Sequence, residues 1–339
     1  MVAKDALAVT GEAIGTYGEP SDAISLGAGR SVVAVAIPAR SFASIGIFGP
    51  AASLRGVTVL GASRGARAAR AASPIDEDGL LPRVISFAPE DAPFRVELVV
   101  DVEDPVVIDL AVANPTELAP PSPKAIDRGE ARPRPLVGLP PPSSIDDGYV
   151  LGTPARYAFV RVDVALALLE ALRRTRKRFR GDPIALSDAS QWDGRRPKTD
   201  RNAPRHISHV GGRDVDVALP ASDGTQSLIQ DRCLGVLLTQ DRYGCAPGTV
   251  KGLDAARLAL LLGTMCDIVP GEVIKVFMDD VYRREIVRAA PALVERKWLG
   301  KEAAAALSED GIIVASPWHT DHFHVRFRGE EGRVGFGPR

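Results

Sequence analysis

Nine of the 27 prolines fall between Pro115 and Pro142, in NPTELAPPSPKAIDRGEARPRPLVGLPPP. Proline fixes φ and removes a backbone donor, so such a run supports neither helix nor a central strand. It reads as an extended, semi-rigid connection, assigned to residues 113–147, that splits the chain into two units. A length of 339 residues agrees with two domains. The unit before the connection, residues 1–112, carries short β-rich runs: SVVAVAIPA, ASIGIFG, GVTVLGA, RVISFA, FRVELVVDV and PVVIDLAVA. Gly, Pro and Asp punctuate them and no amphipathic helix intervenes, so an all-β, sandwich-like module is expected. It contains no histidine or cysteine.

The unit after the connection, residues 148–332, alternates helical and strand patterns. Val164, Leu168, Leu172 and Phe179 recur at helical spacing within 162–179, with arginines opposite; residues 253–267 and 279–290 read as further helices and 273–278 as a strand. An α+β domain is therefore expected, with a small antiparallel sheet and flanking helices. The basic run Arg173–Arg180 reads first as a solvated helix face. Contact with an anionic polymer is the alternative.

All five histidines lie in two short windows of this second unit: RHISHVGGRDVDVAL (205–219) and SPWHTDHFHVRF (316–327). Imidazole is the commonest metal ligand. On a strand, alternate side chains share a face. HFHVRF then places His322, His324 and Arg326 opposite Phe323, Val325 and Phe327. DVDVAL places Asp214 and Asp216 opposite Val215, Val217 and Leu219. Two such half-buried strands side by side would unite the His and Asp pairs. His209 precedes Asp216 by seven residues, an odd spacing, but Gly211 and Gly212 allow the chain to turn it back. His209, Asp216 and one of His322 or His324 would supply two imidazoles and a carboxylate, a set that suits zinc and leaves a position for water. A spare histidine would then act as general base or acid. A purely structural zinc site would be closed and mostly cysteine. Neither window contains cysteine, so a hydrolytic site is expected. Cys233 and Cys245 bracket a loop and can either form a disulfide or stay as buried thiols.

SHVGGRDVDV followed by HTDHFHVRF closely resembles the penicillin-insensitive murein endopeptidases, within the wider group of lysostaphin-type, D-Ala-D-Ala-type and hedgehog-type zinc proteins. GYVLGTP (148–154) and GDPIALSDASQWDGR (181–195) resemble the family more weakly, and the resemblance covers only about 148–330. It implies a hedgehog/DD-peptidase-like zinc domain that binds one Zn2+ through His209, Asp216 and His324. His322 is implied as catalytic base or proton shuttle. His319 and His206 would line the site and steady the water or the oxyanion, and Ser208 and Asp214 would orient the ligands. The implied activity is cleavage of D-alanine–meso-diaminopimelate cross-links in peptidoglycan. A D,D- or L,D-carboxypeptidase is the alternative, with Arg326 or Arg213 holding a terminal carboxylate. A non-catalytic zinc-containing binding or effector protein is a third.

A net charge of −1 gives no field that would draw the chain to nucleic acid, and no apolar run approaches a membrane span. MVAKDALAVTGEAIG does not read as a secretory signal. Since the implied substrate lies in the periplasm or outside the cell, delivery by a secretion or injection machine or by lysis is expected. The N-terminal module would serve as the address or bind the wall.

Overall fold

The computed structural model describes residues 6–9, 22–37, 43–48, 54–62, 83–87, 92–111 and, with short interruptions, 136–328. The proline-rich residues 112–135 lie outside the described residues.

The N-terminal β-rich runs form strands β1 (Ala6–Val9), β2 (Asp22–Leu26), β3 (Gly29–Ile37), β4 (Ala43–Phe48), β5 (Leu54–Ala62), β6 (Arg83–Phe87), β7 (Phe94–Val102) and β8 (Val106–Ala111). They build two four-stranded sheets, ordered β1-β3-β7-β5 and β2-β8-β4-β6. Every pairing is antiparallel except β1 with β3. Along β7, Phe94, Val96, Leu98, Val100 and Val102 are buried while Arg95 is exposed, the two-residue period of a sheet covered on one face.

The second unit is α+β. Its strands are β9 (Leu136–Gly138), β10 (Tyr149–Leu151), β11 (Phe159–Arg161), β12 (Ile184–Leu186), β13 (Asp214–Ala218), β14 (Val236–Leu238), β15 (Tyr243–Cys245), β16 (Val273–Met278), β17 (Ile313–Ala315) and β18 (His322–Phe327). Its helices are α1 (Val162–Arg178), α2 (Ala255–Ile268), α3 (Asp280–Glu295) and α4 (Lys301–Ala306). Six strands form one sheet in the order β10-β12-β13-β18-β16-β17. This corrects the expected small antiparallel sheet. Only the inner pairings are antiparallel; β10 with β12 and β16 with β17 are parallel. The expectation came from two adjacent strands, whereas the outer pairings depend on connections that pass through loops and helices.

Val215, Val217, Phe323, Val325 and Phe327 are all buried in one core with Val164, Leu168 and Leu172 of α1 and Leu258, Leu261 and Leu262 of α2. The helix expected over 279–290 continues through Pro291 to Glu295, where Leu293 is buried in that core. The proline-rich connection also ends earlier than expected. Leu136 and Val137 are fully buried, β9 pairs with β11, and Tyr149 donates its hydroxyl to the Pro140 carbonyl at 2.7 Å. Burying those apolar side chains ties the tail of the connection to the domain.

Cys233 and Cys245 form a disulfide with Cα atoms 5.9 Å apart, and Cys266 is free. No helix among the described residues is long and apolar enough to cross a membrane.

Candidate metal centre

β13 and β18 lie side by side, antiparallel, with Asp216 opposite His324 and Asp214 opposite Arg326. Their apolar residues fill the core beneath, so the His and Asp side chains emerge together on the other face. His209 reaches the same point because Gly211 and Gly212 both adopt left-handed backbone, φ 63° and 67°. Gly212 also packs against backbone: a Cβ there would sit 2.7 Å from the Arg161 nitrogen. The glycine pair turns His209 back over Asp216, as its spacing required.

His206, His209 and Asp216 bring ligand atoms within 4.8 Å of one another, a group that can hold a metal ion. A tighter set includes His324. His209 Nε2 lies 3.2 Å from His324 Nδ1 and 3.2 Å from Asp216 Oδ1, and His324 Nδ1 lies 3.5 Å from the same oxygen. For zinc bonds of about 2.0–2.1 Å, two ligand atoms at the tetrahedral angle are about 3.3–3.4 Å apart. The observed edges bracket that value.

Neighbouring groups set where the lone pairs point. His209 Nδ1–H donates to the Ala189 carbonyl at 3.0 Å, so neutral His209 carries a lone pair on Nε2. His324 Nε2–H donates to Asp214 Oδ1 at 2.7 Å, leaving its lone pair on Nδ1. Asp216 Oδ1 is buried and makes no hydrogen bond. With both imidazoles neutral, three lone pairs converge, an arrangement that favours positive charge at its centre, whether a proton or a metal ion. The titration behaviour agrees. Burial pulls His209 toward neutrality, but the Asp216 carboxylate outweighs it and raises its pKa. Burial alone would raise Asp216; His209 and the other imidazoles override it and hold the carboxyl far below the ordinary range. Burial lowers the pKa of His324, favouring the neutral ligand form.

His322 stands at the edge of this set, its Nε2 3.6 Å from Asp216 Oδ1. Its Nδ1–H donates to Asp321 Oδ1 at 2.6 Å, so the Nε2 lone pair faces the site. Burial lowers its pKa, but Asp321 and Asp216 outweigh that and leave it raised. His319 packs its ring 5.0 Å from His322 and donates Nδ1–H to the Pro317 carbonyl at 2.8 Å. Burial lowers its pKa. Neutral His319 therefore carries its lone pair on Nε2. His206, with φ 61°, pairs Nε2 with Asp188 at 2.9 Å and turns Nδ1 toward Asp216 Oδ2 at 3.5 Å.

Three further residues named from the sequence lie around this cluster. The half-buried Ser208 makes no side-chain hydrogen bond among the described residues, and the Ala189 carbonyl orients His209 in its place. Arg326 Nε donates to Asp214 Oδ1 at 2.7 Å, and Arg213 Nε lies 3.4 Å from Asp214 Oδ2. Both arginines direct Nε toward the carboxylate that orients His324.

Sequence reasoning missed Asp188 and Asp321. Asp188 extends β12 beside β13, where its carbonyl accepts the Asp216 N–H at 2.9 Å. Its buried carboxylate accepts from Thr153, Arg205 and His206. Burial opposes ionisation, but those three partners hold its pKa below the ordinary carboxylate value. Asp321 was legible only as an acid next to a histidine. No family model matches the chain, and no curated protein is significantly similar to it.

Proposed function

We propose that the chain is a zinc-dependent peptidoglycan hydrolase that cleaves D-alanine–meso-diaminopimelate cross-links between stem peptides, acting in the periplasm or outside the cell. The observation that carries the reading is the convergence of the His209, His324 and Asp216 lone pairs beside a histidine backed by an acid. The resemblance of SHVGGRDVDV and HTDHFHVRF to the murein endopeptidases supplies the substrate.

In this reading His209, Asp216 and His324 hold the ion, with Ala189 and Asp214 fixing the imidazole orientations. Bound zinc lowers the pKa of water and polarises a carbonyl. His322 Nε2 takes the proton from the attacking water and returns it to the leaving amine, while Asp321 holds the Nδ1–H, aims the ring and stabilises the imidazolium that forms. His319 accepts a hydrogen bond from the same water. No serine or cysteine nucleophile is needed. The six-stranded sheet with its helices would be the hedgehog/DD-peptidase-like domain. The two N-terminal sheets would form a sandwich that addresses the enzyme to a secretion or injection machine or to the wall.

The test is hydrolysis of purified cross-linked muropeptide dimers, read by mass spectrometry, for wild type and His322→Ala loaded with zinc. Wild type is expected to give monomers, and His322→Ala to bind zinc normally but lose about 10²–10⁴-fold in kcat. A His322→Ala rate equal to wild type rejects the assigned base. Loss of a terminal residue with dimers intact rejects the endopeptidase in favour of a carboxypeptidase.

A further inference from the structure

Trp318 precedes His319 and holds its backbone in the left-handed region, φ 68°. For a bulky residue this conformation costs free energy and marks either strain or function. Its N–H donates to the Tyr243 carbonyl at 2.9 Å. The two rings stack with centroids 5.1 Å apart and planes 12° from parallel. Tyr243 is fixed in turn. In the same strand, Cys245 is disulfide-bonded to Cys233 and donates its N–H to Asp279 Oδ2 at 2.9 Å. Leu238 sits directly opposite Tyr243 in the β14–β15 ladder, so their side chains share a face. Trp318 is 60% and Leu238 71% exposed. Burying such surface is favourable, and the outer face of this braced tryptophan remains exposed.

The position decides the ligand. The His319 ring lies 5.0 Å from His322 and 6.1 Å from His324, and Trp318 is the adjacent residue. The patch therefore adjoins the residue that packs against the metal cluster. Trp318, Tyr243 and Leu238 themselves carry no charge, so what they offer a ligand is apolar contact. We propose that Trp318, Tyr243 and Leu238 form an apolar subsite, beside the metal centre, for an uncharged aliphatic side chain of the substrate peptide. This rests on the peptide-hydrolase reading above.

The experiment measures kcat and KM on cross-linked muropeptide dimers for zinc-loaded wild type, Trp318→Phe and Trp318→Asn. Asparagine removes the ring yet tolerates the left-handed backbone. Tryptophan fluorescence is followed during titration of the same dimers into the His322→Ala protein, with and without Trp318→Phe. Trp318→Asn is expected to raise KM about tenfold with kcat within about twofold and zinc content unchanged, and Trp318→Phe to fall between. Fluorescence should shift to the blue and saturate in His322→Ala, and the shift should vanish when Trp318→Phe is added. Wild-type hydrolysis with unchanged KM in both variants overturns the subsite and leaves the hydrolase standing. A fall in kcat at constant KM also overturns it, assigning Trp318 to the placement of His319. If wild type cleaves no cross-linked peptide, the hydrolase reading fails and the subsite with it.

Discussion

In the proposed reading, Asp214→Asn isolates the step that presents His324 to a metal. The carboxylate is fully buried and takes His324 Nε2–H and Arg326 Nε–H, both at 2.7 Å, on one oxygen, with Arg213 Nε 3.4 Å from the other. Asparagine keeps the shape but has one acceptor oxygen. With that oxygen toward His324, its NH2 faces Arg213, donor against donor. With the amide reversed, the NH2 meets His324 Nε2, and the imidazole must move its proton to Nδ1, where the lone pair is needed. Either orientation weakens the ligand. Loss of such an orienting group costs about 10–100-fold in metal affinity, or about 1.4–2.7 kcal/mol. Removing a buried charge from two charge-assisted hydrogen bonds costs a further ~2 kcal/mol of folding stability. A competition titration against a chromophoric zinc chelator reads the first effect and thermal unfolding of the metal-free protein the second. Asp214→Asn with a zinc Kd within twofold of wild type would refute the argument that Asp214 sets the His324 tautomer.

Other consequences follow from the same geometry. His324→Ala should abolish stoichiometric zinc binding while His206→Ala keeps it, measured by metal analysis after gel filtration; the reverse would identify His206 as the third ligand. Gly212→Ala places a Cβ 2.7 Å from the Arg161 nitrogen at φ 67° and should cost about 3 kcal/mol, lowering Tm by about 10 °C. In the metal-free protein Asp188, Asp214 and Asp216 all have folded pKa values below those of the unfolded chain. The unfolded state then binds more protons, so the stability these groups contribute is fully present above about pH 4 and lost as pH falls through the folded values. Circular dichroism should show the fold intact at pH 5 and unfolding below about pH 4, with Asp188→Asn showing a shallower pH dependence.

Much of the site was legible because strand periodicity is a local property. DVDVAL and HFHVRF each declare a polar and an apolar face, and their pairing follows from burying both apolar faces against the same helices. Gly211 and Gly212 announced the turn that returns His209. What stayed hidden depends on distant partners. The Ala189 carbonyl that orients His209 belongs to the backbone, which the identity of residue 189 does not reveal. The role of Asp188 depends on β12 lying beside β13, and the engagement of Arg326 with Asp214 on cross-strand register. The parallel outer strands and the burial of Leu136 and Val137 likewise reflect long-range packing that overrides a proline-rich local composition.

The central claim is tested most directly by digesting purified peptidoglycan sacculi with wild type and with His209→Ala, each with and without a zinc chelator, and reading the products by mass spectrometry. Conversion of cross-linked dimers to monomers by wild type alone, abolished by chelator and restored by added zinc, is the predicted result. Undiminished cleavage by His209→Ala, or stoichiometric zinc binding by wild type with no bond cut, would contradict it.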